Sequence, residues 1–253
     1  LADYSYSHGG YTAFNVSDPK PRNIHKATVR DRVLHHLLYK ELYPYFEKRF
    51  IYDSYSCREN KGVHRALNRF KFFATIDHET LLAIMERHIE DQGIIWLIRR
   101  VVSSFYTTRP GVGLPLGNLT SQLLVNVYMH EFDMFMKQEL RIEYYIRYAD
   151  DFIILSDNEK YLKSLLLKIS EFLGEKLKLT LHENKVYIKT YASGVDFLGW
   201  VHFPHYRQLR TTTKRKVIRK LRGYPKRETL ISYRGLFSHG NTYELKKRIG
   251  LEE

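Results

Sequence analysis

The sequence contains very little cysteine, with Cys57 as the only one among 253 residues. A single thiol excludes a disulfide framework and a cysteine-rich zinc site, and it fits the reducing conditions of the cytoplasm. The sequence also lacks a long apolar run and a signal-peptide pattern, so it predicts neither membrane insertion nor secretion. These absences favour a globular, cytoplasmic protein.

Acidic residues are scarce relative to basic ones: 28 Asp and Glu stand against 41 Lys and Arg, which gives a net charge of +13. An excess of this size favours a polyanionic partner, and nucleic acid is the usual one. Twenty Tyr and fourteen Phe add aromatic faces on which single-stranded bases stack, although most of these rings should belong to the core. The length suffices for one large or two smaller domains.

Two adjacent carboxylates, Asp150 and Asp151, lie between apolar segments rich in Tyr, Ile and Phe. These residue types favour strands, and period-2 alternation cannot bury both carboxylates, so the pair is predicted at the tight turn of a β-hairpin. Two carboxylates held together repel each other unless a cation lies between them, and oxygen ligands suit Mg²⁺ or Mn²⁺. The simpler alternative is a turn that only closes the hairpin, because an Asp-Asp pair alone is common.

The segment Tyr148-Ala149-Asp150-Asp151 resembles the Y-x-D-D motif of reverse transcriptases, and the resemblance extends from about residue 18 to the end of the sequence. Among these enzymes, it resembles in particular the bacterial ones of diversity-generating retroelements. This resemblance implies an α+β right-hand polymerase. An N-terminal lead-in and the fingers would occupy residues 1–70, and the palm with its antiparallel sheet 71–205, with fingers elements around 86–112. The short helical thumb would occupy 206–253.

The same resemblance implies RNA-directed DNA synthesis, in which a primer 3′-hydroxyl attacks the α-phosphate of a dNTP and pyrophosphate leaves, with the help of Mg²⁺ or Mn²⁺. Asp150 would be a metal ligand and Asp151 would support the metal site. The implied partners are an RNA template, a DNA or RNA primer, dNTPs and a small basic accessory protein. Lys185 is implied as the proton donor to pyrophosphate, with a solvated turn lysine as an equally favoured alternative.

By resemblance, two candidate nucleotide contacts lie in the fingers segment and a third, Phe73, lies at the start of the palm. Lys20 and Arg22 lie in a proline-stiffened basic segment, and Arg can hold a phosphate with two hydrogen bonds. By resemblance, Phe73 is the steric gate that excludes a 2′-hydroxyl by crowding, and a core phenylalanine is the alternative. Arg58 lies in a segment similar to S-Y-G-F-R-x-x-x-G and is implied as a template contact.

One metal ligand of the family is missing from its expected place. Reverse transcriptases place their first metal-binding Asp on a buried strand, four residues before a Phe-Phe pair that matches Phe72-Phe73, but Asn68 occupies that position. Residues 63–70 also have the apolar spacing of a helix and not of a strand. Either Asn68 replaces the ligand, or the flanking residues join across a missing segment near Phe70-Lys71. The second explanation is favoured, because both flanks match the family.

A glycine-rich loop precedes a predicted amphipathic helix and contains Leu116-Gly117-Asn118, followed by Ser121-Gln122. Glycine lets backbone approach a ligand closely, although this signal alone is weak. Its position about thirty residues before the Asp pair matches the family. The match implies nucleotide contacts at Leu116 and Gly117 and template contacts at Asn118, Ser121 and Gln122. Leu116 replaces the Gln of most relatives, as in diversity-generating retroelements and some phage-defence enzymes, and this predicts reduced fidelity.

The C-terminal part contains the candidate contacts with the primer and the duplex. Leu198-Gly199-Trp200 resembles the turn of the hairpin that grips the primer end. A dense basic stretch begins after Thr211, and by resemblance Lys214 and Lys216 belong to a helical thumb that follows the duplex backbone. The alternative is a solvated charged face.

Local patterns predict several further elements. Residues 1–17 are predicted to be irregular or poorly ordered. Thr28 is a candidate helix cap, and the helix that follows should bury an apolar stripe that includes Val33 and Leu37. Asp77 is predicted to be a structural N-cap.

Three boundaries are predicted in the later part of the chain. Residues 81–105 should form two helices that are broken near Gly93. A helix over 161–173 should end at Gly174 because glycine favours helix ends. Alternating leucines predict a strand over 177–181.

Two other functions stay open at this point. A phage-defence reverse transcriptase would share the chemistry but make another product, and the template it uses would distinguish it. A catalytically inactive RNA-binding protein is what Asn68 in place of the metal-binding Asp would imply, and primer extension would distinguish that one.

Overall fold

A computed structural model describes residues 4–16, 22–56, 58, 73–221 and 227–249. These residues form two compact units, one ending at Val186 and the other beginning at Tyr187. In the described residues, the strands form two two-stranded sheets and one three-stranded sheet, all antiparallel. Most of the remaining secondary structure is helical. This mixture agrees with the predicted α+β class. In the described ranges, no helix is both long enough and apolar enough to cross a membrane.

The first unit begins with a β-hairpin, in which β1 (Thr12–Val16) pairs with β2 (Arg22–Lys26). The prediction of an irregular or poorly ordered start is therefore wrong over β1. The residues before β1 are also held in place, because the Tyr6 hydroxyl and the Gly9 amide donate to the buried Asp31 carboxylate at 2.8 and 3.1 Å. Their polar composition is typical of a loop, yet the Tyr6 hydroxyl and the Gly9 amide are both hydrogen-bonded to Asp31.

Helix α1 (Val29–Glu47) begins as predicted after Thr28, whose side-chain oxygen accepts a hydrogen bond from the Asp31 amide. Its buried apolar side consists of Leu34, Leu38, Leu42, Tyr43 and Phe46. The predicted burial of Val33 and Leu37 is wrong, since these side chains are 56% and 50% exposed. Each lies roughly 100° around the helix from a buried leucine, which takes it out of the core-facing stripe.

Two short helices follow, α2 (His78–Glu86) and α3 (Gln92–Ser103). The Asp77 carboxylate accepts from the Thr80 amide at 2.9 Å, which confirms its predicted capping role. Asp91 caps α3 in the same way, accepting from the amides of Gly93 and Ile94. The break between the helices therefore precedes Gly93, because Asp91 satisfies the Gly93 amide inside the first turn.

Helix α4 (Leu119–Met134) is the most buried helix of the first unit and continues into a π-helix, Phe135–Glu139. It packs against α1 and α2. The predicted apolar face is confirmed, since Leu123, Val127, Phe132 and Met136 are all buried. This helix holds the loop before it and the strand after it against one core.

Helix α5 (Glu159–Leu177) passes through Gly174, so the predicted end at that residue is wrong. It ends where Lys178 adopts a left-handed conformation, with φ of 51°. The predicted strand over 177–181 is also wrong: Leu177 completes the helix, and the Leu179 amide donates to the Leu173 carbonyl at 2.8 Å. Leu177 and Leu179 are buried by this helix ending and not by a sheet.

The second unit contains a three-stranded antiparallel sheet of β5 (Val195–Phe197), β6 (Trp200–His202) and β7 (Arg207–Leu209). Its helices are α6 (Thr211–Leu221), α7 (Arg227–Phe237) and α8 (Tyr243–Arg248). Its core is formed by Trp200, Leu209, Val217, Leu221, Phe237 and Leu245. The division of the chain into fingers, palm and thumb, with a thumb from residue 206, stays a prediction.

A partly buried chain of hydrogen bonds joins His8, which precedes β1, to α1 and α4. The two Nε2 atoms of His8 and His35 lie 3.0 Å apart, and Oγ1 of Thr120 lies 2.9 Å from Nδ1 of His35. Burial, assisted by the neighbouring His8, lowers the pKa of His35 to about 4. The folded protein therefore keeps His35 neutral at pH values where a solvated histidine is charged.

We expect the free energy of unfolding to decrease as the pH falls from 6.5 toward 4. Because the pKa of His35 is lower in the folded state, the unfolded state binds the proton first; the contribution is complete above pH 6.5 and is lost as the pH falls toward 4. It amounts to about 3 kcal/mol at most. Urea unfolding at pH 7 and pH 5 measures this loss.

Variants distinguish the contribution of His35 to this pH dependence from that of other buried histidines. His130 is one of them, since burial lowers its pKa too. His35→Gln should lose less stability between pH 7 and pH 5 than the parent. His36→Gln, at the exposed next position, should behave like the parent. Equal pH dependence of the parent and His35→Gln would contradict the assignment.

Candidate active site

The two adjacent carboxylates lie at the turn of a β-hairpin, as predicted. Strand β3 (Tyr144–Tyr148) pairs with β4 (Asp151–Leu155), with Tyr148 opposite Asp151. Ala149 and Asp150 form the connection, and Ala149 has φ of 56°, in the left-handed region. Asp150 and Asp151 are both partly exposed. The turn thus presents two carboxylates side by side at the end of a paired sheet.

The core-facing side of β3 carries an unexpected charge. Tyr145 and Arg147 point to the buried side, and Arg147 is 0% exposed. The carboxylate of Asp133, on α4, accepts from Arg147 Nε at 2.6 Å and Nη2 at 2.5 Å, and from the Tyr145 hydroxyl at 2.8 Å. Burial alone would lower the pKa of Arg147, but Asp133 raises it above its ordinary value. The buried guanidinium therefore stays charged.

Two further hydrogen bonds of Arg147 reach the backbone of the turn and the side chain of Ser54. Nη1 donates to the Ala149 carbonyl at 2.8 Å, and Nη2 donates to Oγ of Ser54 at 2.9 Å. Residues 53–55 also lie along β3, since the Arg147 amide donates to the Asp53 carbonyl and the Tyr55 amide to the Arg147 carbonyl, both at 3.0 Å. One arginine thus connects α4, residues 53–55 and the Asp150 turn.

Sequence reasoning missed both Arg147 and Asp133. The alternation of side chains in β3 could have revealed the burial of Arg147, because it places Arg147 on the same face of the strand as the buried Tyr145. A charged residue in a buried phase requires a buried partner of opposite sign, and Asp133 lies on a helix whose other residues are largely apolar.

The predicted nucleotide-binding loop contacts β2 directly. The His25 amide donates to the Leu116 carbonyl at 2.9 Å, and the Asn118 side-chain amide donates to the His25 carbonyl at 2.9 Å. Gly117 has φ of 103°, and a Cβ there would lie 2.7 Å from Ile24 Cγ2. The structure therefore brings the strand that begins at Arg22 together with Leu116, Gly117 and Asn118. Lys20 lies outside the described residues.

Three of the predicted nucleotide and template contacts, Phe73, Leu116 and Ser121, are buried. Phe73 and Leu116 are 2% and 9% exposed, and Leu116 belongs to the main core, as does Phe73. Ser121 is buried and Gln122 is partly exposed, both in the first turns of α4. The roles of these residues toward nucleotide and template stay predictions.

Arg58 is held inside the protein. Its guanidinium pairs with Glu47 at 2.8 Å, and Nη1 donates to the carbonyls of Ile51 and Ser54 at 2.6 and 2.9 Å. These bonds stabilise the segment that continues into residues 53–55. A template contact by Arg58 stays a prediction.

Lys185 ends a short 3₁₀ helix, Glu183–Lys185, and is exposed. Its amide donates to the His182 carbonyl at 2.8 Å, which fixes the turn. The exposed side chain is compatible with both interpretations of Lys185, and the proton-donor role stays a prediction.

In the second unit, Leu198 and Gly199 form the predicted tight turn between β5 and β6, with φ of 54° and 86°. The Arg210 amide donates to the Gly199 carbonyl at 3.0 Å, and the Arg210 side chain pairs with Asp196. Trp200 lies in the core with 3% exposure. The hairpin is confirmed, while its grip on a primer stays a prediction.

Helix α6 presents the predicted basic face. Val217 and Leu221 are buried, and the basic residues Lys214, Arg215, Lys216, Arg219 and Lys220 are partly or fully exposed. Lys214 Nζ lies 3.4 Å from Oε1 of Gln208, so this lysine is positioned next to β7. The helix thus carries a positive surface of the kind that binds a phosphate backbone.

The carboxylates of the turn fit a divalent cation, since such ions prefer carboxylate oxygens and take further ligands from substrate phosphates. Among the residues that the structure describes, no three His, Cys, Asp or Glu side chains group as a metal site. Asn68 and the junction at Phe70-Lys71 lie outside the described residues. The two explanations for the missing first Asp therefore both stay open.

The sequence of the chain matches a known protein family. Residues 17–202 match the family model described as reverse transcriptase (RNA-dependent DNA polymerase). The chain is 22% identical to the group II intron-encoded protein LtrA of Lactococcus lactis, over 72% of this chain and 44% of LtrA. It is 22% identical to protein YkfC of Escherichia coli, over 72% of this chain and 63% of YkfC.

A third relative is the putative COX1/OXI3 intron 2 protein of Saccharomyces cerevisiae, at 21% identity over 76% of this chain and 30% of that protein. The chain thus spans between 30% and 63% of the length of these relatives. The family model covers most of the chain and includes the hairpin with the two carboxylates, and the elements around it fit an α+β right-hand polymerase. The chain belongs to the reverse transcriptase family.

Proposed function

We propose that this chain is the polymerase part of an RNA-directed DNA polymerase, which extends a primer with dNTPs along an RNA template. The observation that carries the proposal is the pair Asp150-Asp151 at the β3–β4 turn, in a chain whose residues 17–202 match the reverse transcriptase family. Adjacent carboxylates on a rigid hairpin suit nucleotidyl transfer, because catalysis of this reaction depends on positioning and on charge neutralisation.

Reverse transcriptases generally use a divalent metal, and we propose Mg²⁺, or Mn²⁺ as a substitute, in two-metal catalysis. The cation would neutralise charge on the phosphates and lower the pKa of the primer hydroxyl. Asp150 would hold it, and Asp151 would support the site from the first position of β4. Arg22 and the backbone around Gly117 would orient the nucleotide, and Lys185 would donate a proton to pyrophosphate.

The charge distribution supports a nucleic-acid substrate. The chain carries a net charge of +13, and five basic residues of α6 are partly or fully exposed. Lys214 and Lys216 would contact the backbone of the template–primer duplex, an interaction that weakens steeply with salt. Arg58, Asn118, Ser121 and Gln122 are the proposed template side, and Leu198-Gly199-Trp200 the proposed primer side.

Primer extension tests the proposal. The purified chain should extend oligo(dT) on poly(rA) with dTTP in the presence of Mg²⁺, and chelation with EDTA should stop the reaction. Tight RNA binding without any extension would favour an inactive RNA-binding protein, the function that Asn68 in place of Asp would imply.

We further propose that synthesis is of low fidelity, as in diversity-generating retroelements. An aliphatic Leu116 cannot hydrogen-bond to the templating pair, whereas the Gln of most relatives can. Leu116→Gln should lower the misincorporation frequency several-fold when products on a defined RNA are sequenced. Total extension by both proteins should be measured together, so that slower synthesis is not mistaken for accuracy. An unchanged error frequency would remove this part of the proposal.

The biological role is proposed to be that of a retroelement, with a structured RNA as template and a small basic accessory protein as partner. A phage-defence enzyme is the alternative with the same chemistry. Preference for the retroelement's own RNA over poly(rA), increased by the accessory protein, would support the first role. Equal use of unrelated templates would contradict it.

A further inference from the structure

We propose that Arg147 is a positioning residue that, held by Asp133, orients the Ala149-Asp150 peptide and thereby the carboxylate of Asp150 toward the metal. This inference rests on the proposed polymerase function. Arg147 does not face the predicted substrate side, because it is fully buried between β3 and α4. Its effect would therefore act through the backbone of the turn.

The connection is short and specific. The Ala149 carbonyl, which accepts from Arg147 Nη1 at 2.8 Å, belongs to the same planar peptide group as the Asp150 amide. Fixing this oxygen therefore fixes the orientation of the peptide plane that leads into Asp150. Because Ala149 has φ of 56°, a conformation that residues other than Gly rarely adopt, the turn needs support from outside itself.

The guanidinium itself cannot move without breaking several bonds. Nε and Nη2 hold both oxygens of Asp133 at 2.6 and 2.5 Å, and Nη2 also reaches Oγ of Ser54 at 2.9 Å. A bidentate ion pair of this kind fixes the plane of the guanidinium and hence the direction of Nη1.

Stability alone does not explain a buried charge pair. Apolar side chains of similar volume usually stabilise a core as well as a buried ion pair does, because burying both charges costs desolvation energy. An apolar pair, however, offers no donor to the Ala149 carbonyl. What Arg147 adds is the directed hydrogen bond to the turn, and this predicts an effect on the metal site that is separable from stability.

The experiment replaces the pair by apolar residues, in the double variant Arg147→Met with Asp133→Leu, in the whole chain. We expect the double variant to fold but to unfold at a lower temperature than the parent, because the buried Tyr145 hydroxyl loses its acceptor and the Ala149 carbonyl loses its donor. Its affinity for Mn²⁺, measured by electron paramagnetic resonance without nucleotide, should fall about 10- to 100-fold. The Mg²⁺ concentration that gives half-maximal primer extension should rise by a similar factor, with the Kd for template–primer unchanged.

Tyr145→Phe is the matched control. It removes the 2.8 Å hydrogen bond from the Tyr145 hydroxyl to Asp133 in the same buried cluster but leaves the bond from Arg147 to Ala149 intact. It should lower stability while keeping the parent's Mn²⁺ affinity. If the double variant does not fold, Arg147→Lys replaces it, because Lys keeps the charge but lacks the planar fork.

The outcomes separate this inference from the proposed function. Weakened Mn²⁺ binding in the double variant supports the positioning role even if the parent shows no extension, in which case only the polymerase proposal fails. Parental Mn²⁺ affinity in a folded double variant, or in Arg147→Lys, would overturn the inference. Loss of Mn²⁺ affinity in Tyr145→Phe equal to that in the double variant would overturn it too, because the effect would then follow stability.

Discussion

Replacing Asp150 by Asn is expected to reduce primer extension roughly a thousandfold and to change the free energy of unfolding by less than about 1 kcal/mol. The asparagine side chain has the same shape, but it lacks the negative charge that a divalent cation needs in a ligand. Asp150 lies at the partly exposed turn between β3 and β4, away from the main core, so the fold should tolerate the change. Activity and folding should therefore respond very differently.

The measurement is extension of oligo(dT) on poly(rA) at saturating dTTP, with urea unfolding of the same preparations. Asp157→Asn is the matched control, because Asp157 is an exposed acidic residue shortly after β4. It should extend primers at the parent's rate. Parental activity of Asp150→Asn would reduce the Asp pair to a turn that only closes the hairpin. If the parent and Asp150→Asn are equally inactive, the chain is a binder and not a polymerase.

Replacing Gly240 by Ala should lower the free energy of unfolding by about 1–3 kcal/mol, the range for overpacked cores. A Cβ at Gly240 would meet the Trp200 ring, at 2.8 Å from Cη2 and closer still to Cζ3. Trp200 is 3% exposed and packs with Leu209 and Phe237, so the ring has little room to withdraw. The strain therefore falls on the core of the second unit.

The same substitution at Gly235 provides the control. Gly235 lies inside α7, and a Cβ there would meet nothing within 4 Å. Gly235→Ala should therefore raise the free energy of unfolding, by about 0.5–1 kcal/mol, because alanine favours the helix over the unfolded chain. Thermal unfolding of the three proteins measures both effects. Shifts of the same sign in Gly235→Ala and Gly240→Ala would contradict the packing argument.

Local patterns were enough to predict the central hairpin. Alternation on both sides of Asp150-Asp151 excluded burial of the pair, and β3 and β4 pair as that argument requires. Thr28 and Asp77 were predicted as caps from their position before apolar periodicity, and both accept the expected backbone hydrogen bonds. These features depend on neighbours within a few residues, which a sequence displays directly.

Features that depend on distant partners were not predictable in this way. Leu177 and Leu179 alternate as in a strand, but packing near the end of α5 buries both. The position of Arg147 in a predicted strand does not show whether its side chain faces solvent or pairs with Asp133, which lies fourteen residues earlier. At the site, the Asp pair was predicted, whereas the ion pair that supports its turn was not.

The contact between β2 and the glycine loop bears on how this protein can be recombined with its relatives. Two of its requirements depend on side chains: the amide of Asn118, which bonds the His25 carbonyl, and the bare Cα of Gly117, which leaves room for Ile24. A chimaera that takes only the glycine loop from a relative would therefore place residues of that relative against the native β2, without matching the contacts of Gly117 and Asn118. We therefore expect β2 and residues 116–118 to be exchanged together, although more than ninety positions separate Ile24 from Gly117 in the chain.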